Sequence, residues 1–262
     1  YLTKPGGGGD PSRTTVDRYG NVWVANRAVG DEHGGSITQI GVVIGGTRCN
    51  ADGSPNPEGD FLKPPFIYNT CVDRNRDGLI KASRGLGRVL LWPDNPLDSL
   101  GGVSQAEDEA ILRYVRVAPT AVRTIVVDRQ NHVWVGSRDN HWHEFIDGLT
   151  GMPVTGWRVN FQGGGYGGVI DGRGAIWSSG YNGDANAFRL LRFLPAISMP
   201  LLTGGTIRAT GDNYGITVDP NTGDIWQALY VSEQIMHFRP DHCTTRFKID
   251  QRLNRGLVID GR

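Results

Sequence analysis

The stretch of this 262-residue chain with the most obvious chemistry is Asp73-Arg74-Asn75-Arg76-Asp77-Gly78-Leu79-Ile80. Oxygen-bearing side chains stand at its first, third and fifth positions, glycine at the sixth and an apolar residue at the eighth. That is how a calcium loop begins. The alternation turns Asp73, Asn75 and Asp77 toward one point, and the glycine allows the sharp turn that brings in the backbone oxygen of Leu79. The second half departs from the pattern. Lys81 and Arg84 occupy the ninth and twelfth positions, where the scheme needs further oxygens, so a Ca2+ ion here must borrow a carboxylate from Asp98 or from Glu107-Asp108-Glu109. The alternative is a turn rich in Asp and Asn, partly neutralised by its two arginines. Cys49 and Cys71 precede this loop, and a disulfide between them would close about 20 residues and stabilise the segment by about 3 kcal/mol. Cys243 is then left over, and the pattern points weakly to an oxidising compartment.

Other chemistries are poorly represented. His141 and His143 are the one close histidine pair; on a strand they share a face, but no third ligand stands nearby, so a transition-metal site is not expected. There is no Gly-x-Ser-x-Gly, no Gly-x-x-x-x-Gly-Lys-Ser/Thr and no Cys-x-x-Cys. The run Gly163–Gly168 leads into a strand rather than a helix, which excludes a dinucleotide loop. One set remains. Arg123, Tyr166, Tyr214 and Arg255 each lie five residues before a recurring aspartate, and Gly167, Gly215 and Gly256 follow the last three. Two arginines and two tyrosines around one opening suit an anionic or sugar-like ligand, through hydrogen bonds and stacking. The same side chains could equally plug a channel.

What places those four residues alike is an internal repeat. The aspartate closes Thr15-Val16-Asp17, Val126-Val127-Asp128, Val169-Ile170-Asp171, Thr217-Val218-Asp219 and Val258-Ile259-Asp260. After a turn come Val22-Trp23, Val133-Trp134, Ile176-Trp177 and Ile225-Trp226; the fifth copy ends at Arg262. The aspartates are 111, 43, 48 and 41 residues apart. The last three spacings are those of a four-stranded propeller blade, about 40–50 residues. Each copy reads as strand, tight turn, strand. Third strands are expected at Trp142–Ile146, Leu190–Phe193 and Ile235–Phe238, and fourth strands at Thr155–Val159, Thr206–Ala209 and Thr245–Ile249. The tryptophans should fill the space between sheets, and the aspartates should accept backbone N–H groups in the turns. The fold class is therefore all-β: a β-propeller over 1–262 with four blades and the first strand of a fifth.

The long first interval holds one blade plus an insertion. With Ser36–Ile44 as third strand and Ala110–Val117 as fourth, residues 46–108 form an inserted subdomain carrying the calcium-type loop and the two cysteines. Ala106–Tyr114 has the mixed polarity of a helical turn ahead of its strand. Lys+Arg and Asp+Glu are equal at 27 each, which gives no electrostatic case for nucleic acid or an anionic membrane surface. No apolar run reaches the roughly 18 residues of a membrane span. The start at Tyr1 and the stop within a repeat suggest a piece of a longer chain.

The pattern Thr124-Ile125-Val126-Val127-Asp128-Arg129-Gln130-Asn131-His132-Val133-Trp134-Val135-Gly136 resembles the virginiamycin B lyase-like and NHL-type propellers. The resemblance covers about three-quarters of the chain, all but the insertion. It implies a propeller; the lyases among these proteins open streptogramin antibiotics by elimination, with a metal and with His and Glu at the funnel. Here the funnel positions carry Arg and Tyr. The expectation is thus a secreted or cell-surface module, extracellular or periplasmic, that binds a protein, a glycan or a neighbouring subunit. A funnel-sited lyase or hydrolase is the alternative.

Overall fold

The structure is a computed structural model. It describes residues 1–27, 34–94, 102–103, 105–160, 164–180, 189–195, 200–201, 207–208, 213–229, 234–239, 244–250 and 258–259. Every regular element among them is a β-strand, and the chain divides into two compact units, Tyr1–Arg116 and Val117–Arg262.

The first unit holds β1 (Pro11–Val16), β2 (Val22–Asn26), β3 (Gly35–Ile40), β4 (Val43–Cys49), β5 (Phe61–Asn69), β6 (Ile80–Lys81), β7 (Gly102–Val103) and β8 (Ile111–Val117). Its main sheet has the order β1-β2-β3-β8-β7, while β4-β5-β6 form a separate three-stranded sheet. β3 stops at Ile40, short of the Ile44 expected from sequence. At Gly41 the chain leaves the sheet: its N–H donates to Ala110 O, and a Cβ there would lie 3.1 Å from Cys71 Sγ. Val43 and Ile44 then begin β4. Ala106–Tyr114 contains no helix; a turn at Glu109–Ala110 runs directly into β8. Val24, Ile40, Cys71, Ile80, Ala82 and Ala110 form a buried cluster against Val22, Val43, Leu62 and Phe66.

The expected disulfide is absent: Cys49 and Cys71 are both free, and both are buried. The hairpin explains why. Cys49 pairs with Phe61 at one end of the β4–β5 ladder, while Val43 pairs with Asn69 at the other, and Cys71 lies just beyond Asn69. Six residues at about 3.4 Å each separate the two ends of the hairpin by about 20 Å, against a Cα–Cα limit of about 7 Å for a bridge. Sequence separation gave the loop length but not the direction of the chain within it.

The second unit holds three successive antiparallel sheets. β9 (Val122–Val127), β10 (Val133–Ser137), β11 (Trp142–Ile146) and β12 (Pro153–Asn160) form the first. β13 (Gly167–Ile170), β14 (Ile176–Ser179), β15 (Arg189–Pro195), β16 (Pro200–Leu201) and β17 (Ile207–Arg208) form the second, with both β16 and β17 paired to β15. β18 (Asn213–Val218), β19 (Ile225–Leu229), β20 (Gln234–Arg239) and β21 (Thr244–Asp250) form the third. The expected third and fourth strands fall within β11, β12, β15, β20, β21 and, for Ile207–Arg208, β17; Thr206 and Ala209 lie outside the described residues.

The repeated signature is a local lock. Asp171 accepts the N–H groups of Arg173 (2.9 Å) and Ala175 (3.0 Å) on one oxygen and the Trp177 indole N–H (2.9 Å) on the other. Asp17 does the same for Tyr19, Asn21 and Trp23, and adds the amides of Asn21 and Gln39. At Asp128 the His132 ring, 3.2 Å away, meets the second oxygen. One residue in each of these hairpin turns is left-handed: Gly20 (φ 81°), Asn131 (φ 74°), Gly174 (φ 82°) and Gly223 (φ 74°). Gly or Asn stands there because other side chains resist that conformation. Trp23, Trp134 and Trp177 are fully buried. Trp134 packs with Val126, Phe145 and Ile176, and Trp177 with Ile225, Leu229, Met236 and Phe238. Trp226 is only half-buried and lies on the His237 ring, 4.5 Å between centroids.

Candidate functional site

Three of the four residues singled out by their place before the repeated aspartate come together in the second unit. Arg123 is the second residue of β9, Tyr166 immediately precedes β13, and Tyr214 is the second residue of β18. The Arg123 guanidinium lies 4.9 Å from the centroid of the Tyr166 ring, and Nη1 donates to the Tyr166 hydroxyl at 3.4 Å. The Tyr166 and Tyr214 rings are 5.1 Å apart at 66°, an edge-to-face contact. Tyr166 is buried, while Arg123 and Tyr214 are half-buried. Arg255 lies outside the described residues.

The backbone makes this row possible. The Tyr166 N–H donates to Ser179 O at 2.8 Å, which extends the β13–β14 ladder back to the tyrosine. Gly167 then lets the first strands of neighbouring sheets approach: a Cβ there would sit 2.9 Å from Ser179 Oγ and 3.1 Å from Tyr214 O. Chemically, the row is a cation held over an aromatic face beside phenol hydroxyls. The buried Nε of Arg123 has no hydrogen-bond partner among the described residues. Such an array can receive an anionic group or a hydroxyl-rich ring.

Behind the row lies a pair that the sequence did not single out. His143, on β11, is fully buried, and its Nε2 is 2.7 Å from Ser178 Oγ on β14. Its Nδ1 faces His141 O at 3.3 Å. A carbonyl can only accept, so the ring proton sits on Nδ1 and the Ser178 hydroxyl donates to Nε2. Ser178 Oγ in turn accepts the Gly165 N–H at 2.8 Å, and His141 Nδ1 donates to Gly164 O at 3.1 Å. Burial pushes the His143 pKa down to about 3, so the ring is neutral. Gly136 leaves room for it, since a Cβ there would lie 2.6 Å from His143 Nε2. The sequence placed His141 and His143 near one another, but it carried no signal that Ser178, 35 residues on, lies across the next sheet.

In the calcium-type loop of the first unit the side-chain oxygens cap the loop's own backbone. Asp73 accepts the N–H groups of Arg76 (2.6 Å), Asp77 (3.2 Å) and Gly78 (2.8 Å). Asn75 Oδ1 accepts that of Asp77, Asp77 Oδ1 accepts that of Leu79, and Asn75 Nδ2 donates to Asp77 Oδ2. Of the two candidate lenders of a carboxylate, Asp98 lies outside the described residues. The Glu107–Glu109 run reaches both ends of the loop: buried Glu109 accepts the N–H groups of Arg74 (2.8 Å) and Lys81 (2.7 Å), and Lys81 Nζ donates to Glu107 at 2.7 Å. The Arg74 guanidinium closes the arrangement on the carbonyls of Ala106, Asp108 and Ile111. Among the described residues no group of three or more His, Cys, Asp or Glu side chains stands in a metal-holding arrangement.

No protein-family model matches the chain, and no curated protein matches it significantly. Solved structures do. A functionally unknown protein from Desulfotomaculum acetoxidans DSM 771 superimposes with a TM-score of 0.58 at 13% identity, over 97% of this chain and 61% of that one. A virginiamycin B lyase from Staphylococcus aureus gives 0.47 at 13% identity, over 97% of this chain and 75% of the lyase. The β-propeller domain of Cps50 (Swd1) from Myceliophteria thermophila gives 0.46 at 8%, over 58% of this chain and 50% of that one. The chain spans about three-fifths of the first of these structures. At these identities the likeness is one of fold alone: an all-β chain of small antiparallel sheets, with a β-propeller domain and streptogramin-lyase-type proteins among its structural neighbours.

Proposed function

We propose that the chain is a propeller-type binding module whose ligand rests on the row formed by Arg123, Tyr166 and Tyr214, with Arg255 as a fourth member. The two four-stranded and two five-stranded sheets are each read as a blade, four in all with a fifth begun, and residues 46–108 as an insertion in the first blade. The observation that carries the reading is the Arg123–Tyr166–Tyr214 row itself, a cation and two phenols in contact at the starts of the first strands of three successive sheets. An anionic glycan is the ligand class that uses all of its features, through the guanidinium and through stacking on a ring face. The test is an array of uronate-bearing and neutral oligosaccharides probed with the wild type and with Tyr166→Ala/Tyr214→Ala. We expect retention of acidic glycans by the wild type and at least a tenfold loss in the variant; equal retention by both excludes this site. The lyase alternative rests on the family resemblance alone.

The reading extends to the insertion, with Ca2+ held by the side chains of Asp73, Asn75 and Asp77 and the carbonyl of Leu79, and with the Glu107–Glu109 run closing the loop. Support comes from the one-three-five alternation of oxygens and from the left-handed Gly78 at the sixth position. In such a site the ion orders a segment that has a small core of its own. An extracellular, periplasmic or cell-surface location belongs to the same proposal. The free state of Cys49 and Cys71 withdraws the disulfide from its support.

A further inference from the structure

We propose that the His143–Ser178 pair is the positioning device of the Tyr166 site, and that it makes the site open in mild acid. This rests on reading the Arg123–Tyr166–Tyr214 row as the functional site, but the device itself stands on separate contacts. Tyr166 is carried by a short glycine segment with few means of holding itself in place. Gly165 has φ 102°, and a Cβ on it would lie 1.7 Å from Ser137 O. A Cβ on Gly164 would lie 2.8 Å from Ser178 Oγ and 3.1 Å from His143 Cε1. The segment therefore lies flat on the pair. Its anchors are the bonds already described: Gly165 N–H to Ser178 Oγ, Gly164 O from His141 Nδ1, and Tyr166 N–H to Ser179 O. Because that cover helps to keep His143 and Ser178 fully buried, water reaches the imidazole only when the segment lifts. When it lifts, Tyr166 leaves Arg123.

The surroundings of His143 set the direction of the effect. From β10 it meets Gly136, from β14 Ser178 and from the segment before β13 Gly164, with Thr124 of β9 on the other side of Gly136; none of these titrates. Glu144, the next residue of β11, points to the opposite face of the strand, accepts the Ala118 N–H and lies 3.8 Å from Arg158. Among the described residues the titratable neighbour is His141, whose charge opposes a second proton. An imidazolium in the closed contact would be a desolvated charge facing no carboxylate among these groups. In the open segment His143 regains a pKa near 6.5. The open form is thus the one that takes the proton. Opening is independent of pH above about 6.5 and becomes more favourable as pH falls below it, approaching tenfold per unit, about 30-fold at pH 5.

Residue-resolved amide exchange without ligand tests this, with protection corrected for intrinsic rates at each pH. In the wild type, Gly165 and Tyr166 should exchange by a local opening, less protected than the Trp134 and Trp177 amides, and should lose about 30-fold protection between pH 7.5 and pH 5. His143→Gln keeps an acceptor for Ser178 but cannot take up a proton, and should flatten this dependence. Should that variant fail to fold, Ser178→Ala serves: it keeps the titrating ring, so the pH slope persists while Gly165 protection drops at every pH. The proposal is overturned by pH-independent protection at Gly165 and Tyr166 or by a slope unchanged in His143→Gln. It is equally overturned by Gly165 protection unchanged in Ser178→Ala, or by exchange of both amides only together with Trp134 and Trp177. Failure of glycan binding with this exchange pattern intact would sink the ligand reading alone.

Discussion

Asp171 shows how much one side chain of the signature does. It satisfies two turn N–H groups and an indole N–H, so its loss leaves the buried Trp177 nitrogen without this acceptor. We predict that Asp171→Ala lowers the unfolding free energy by about 1–3 kcal/mol in urea titration, the cost of stranding a buried donor. Asp219, whose bonds go to Asn221 and Thr222 in an exposed turn, should cost clearly less when replaced. The cysteines make a second case at this scale. Burial, with the negative charges of Asp108 and Glu109 nearby, pushes the Cys71 thiol up to about 12, so at pH 8 its thiolate fraction is on the order of one in ten thousand. Native protein should therefore react with a disulfide reagent at Cys71 at least a hundredfold more slowly than unfolded protein, without prior reduction. Recovery of Cys49 and Cys71 as a linked peptide after digestion would contradict this.

At the scale of strands, much of the architecture could be read from sequence because its determinants are local. The turn residues and the alternation of the hairpins act within about six residues; they placed the hairpins β9–β10, β13–β14 and β18–β19 around their turns and gave β11 to the residue. The same register argument found Arg123, Tyr166 and Tyr214, because position relative to the aspartate fixes position on the first strand. What was not legible joins distant segments. Ser178 meets His143 across two sheets, Glu109 reaches back to Arg74 and Lys81, and the β4–β5 hairpin carries Cys49 away from Cys71. Gly167→Ala tests the strand-level reading of the site: its Cβ would press on Ser179 Oγ and Tyr214 O. We expect a loss of about 1–3 kcal/mol from the crowding, with chemical-shift changes centred on Tyr166 and Tyr214.

For the molecule as a whole, the division at Arg116 predicts that events in one unit are felt mainly there. Ca2+ bound at Asp73, Asn75 and Asp77 should slow amide exchange within Tyr1–Arg116 and raise the thermal midpoint by several degrees over that in EGTA, with Val117–Arg262 little changed. Superimposable melts with and without the chelator would remove calcium from the account. The aspartate–turn–tryptophan lock has a broader consequence. Because Asp171, its turn and Trp177 close on one another within a single hairpin, that hairpin can be copied wherever the next sheet offers the indole an apolar bed such as Ile225, Leu229, Met236 and Phe238. The residue five places upstream takes no part in the lock. A chain built this way can vary its rim, each residue fitted to the next in the row, while the frame that holds them stays fixed.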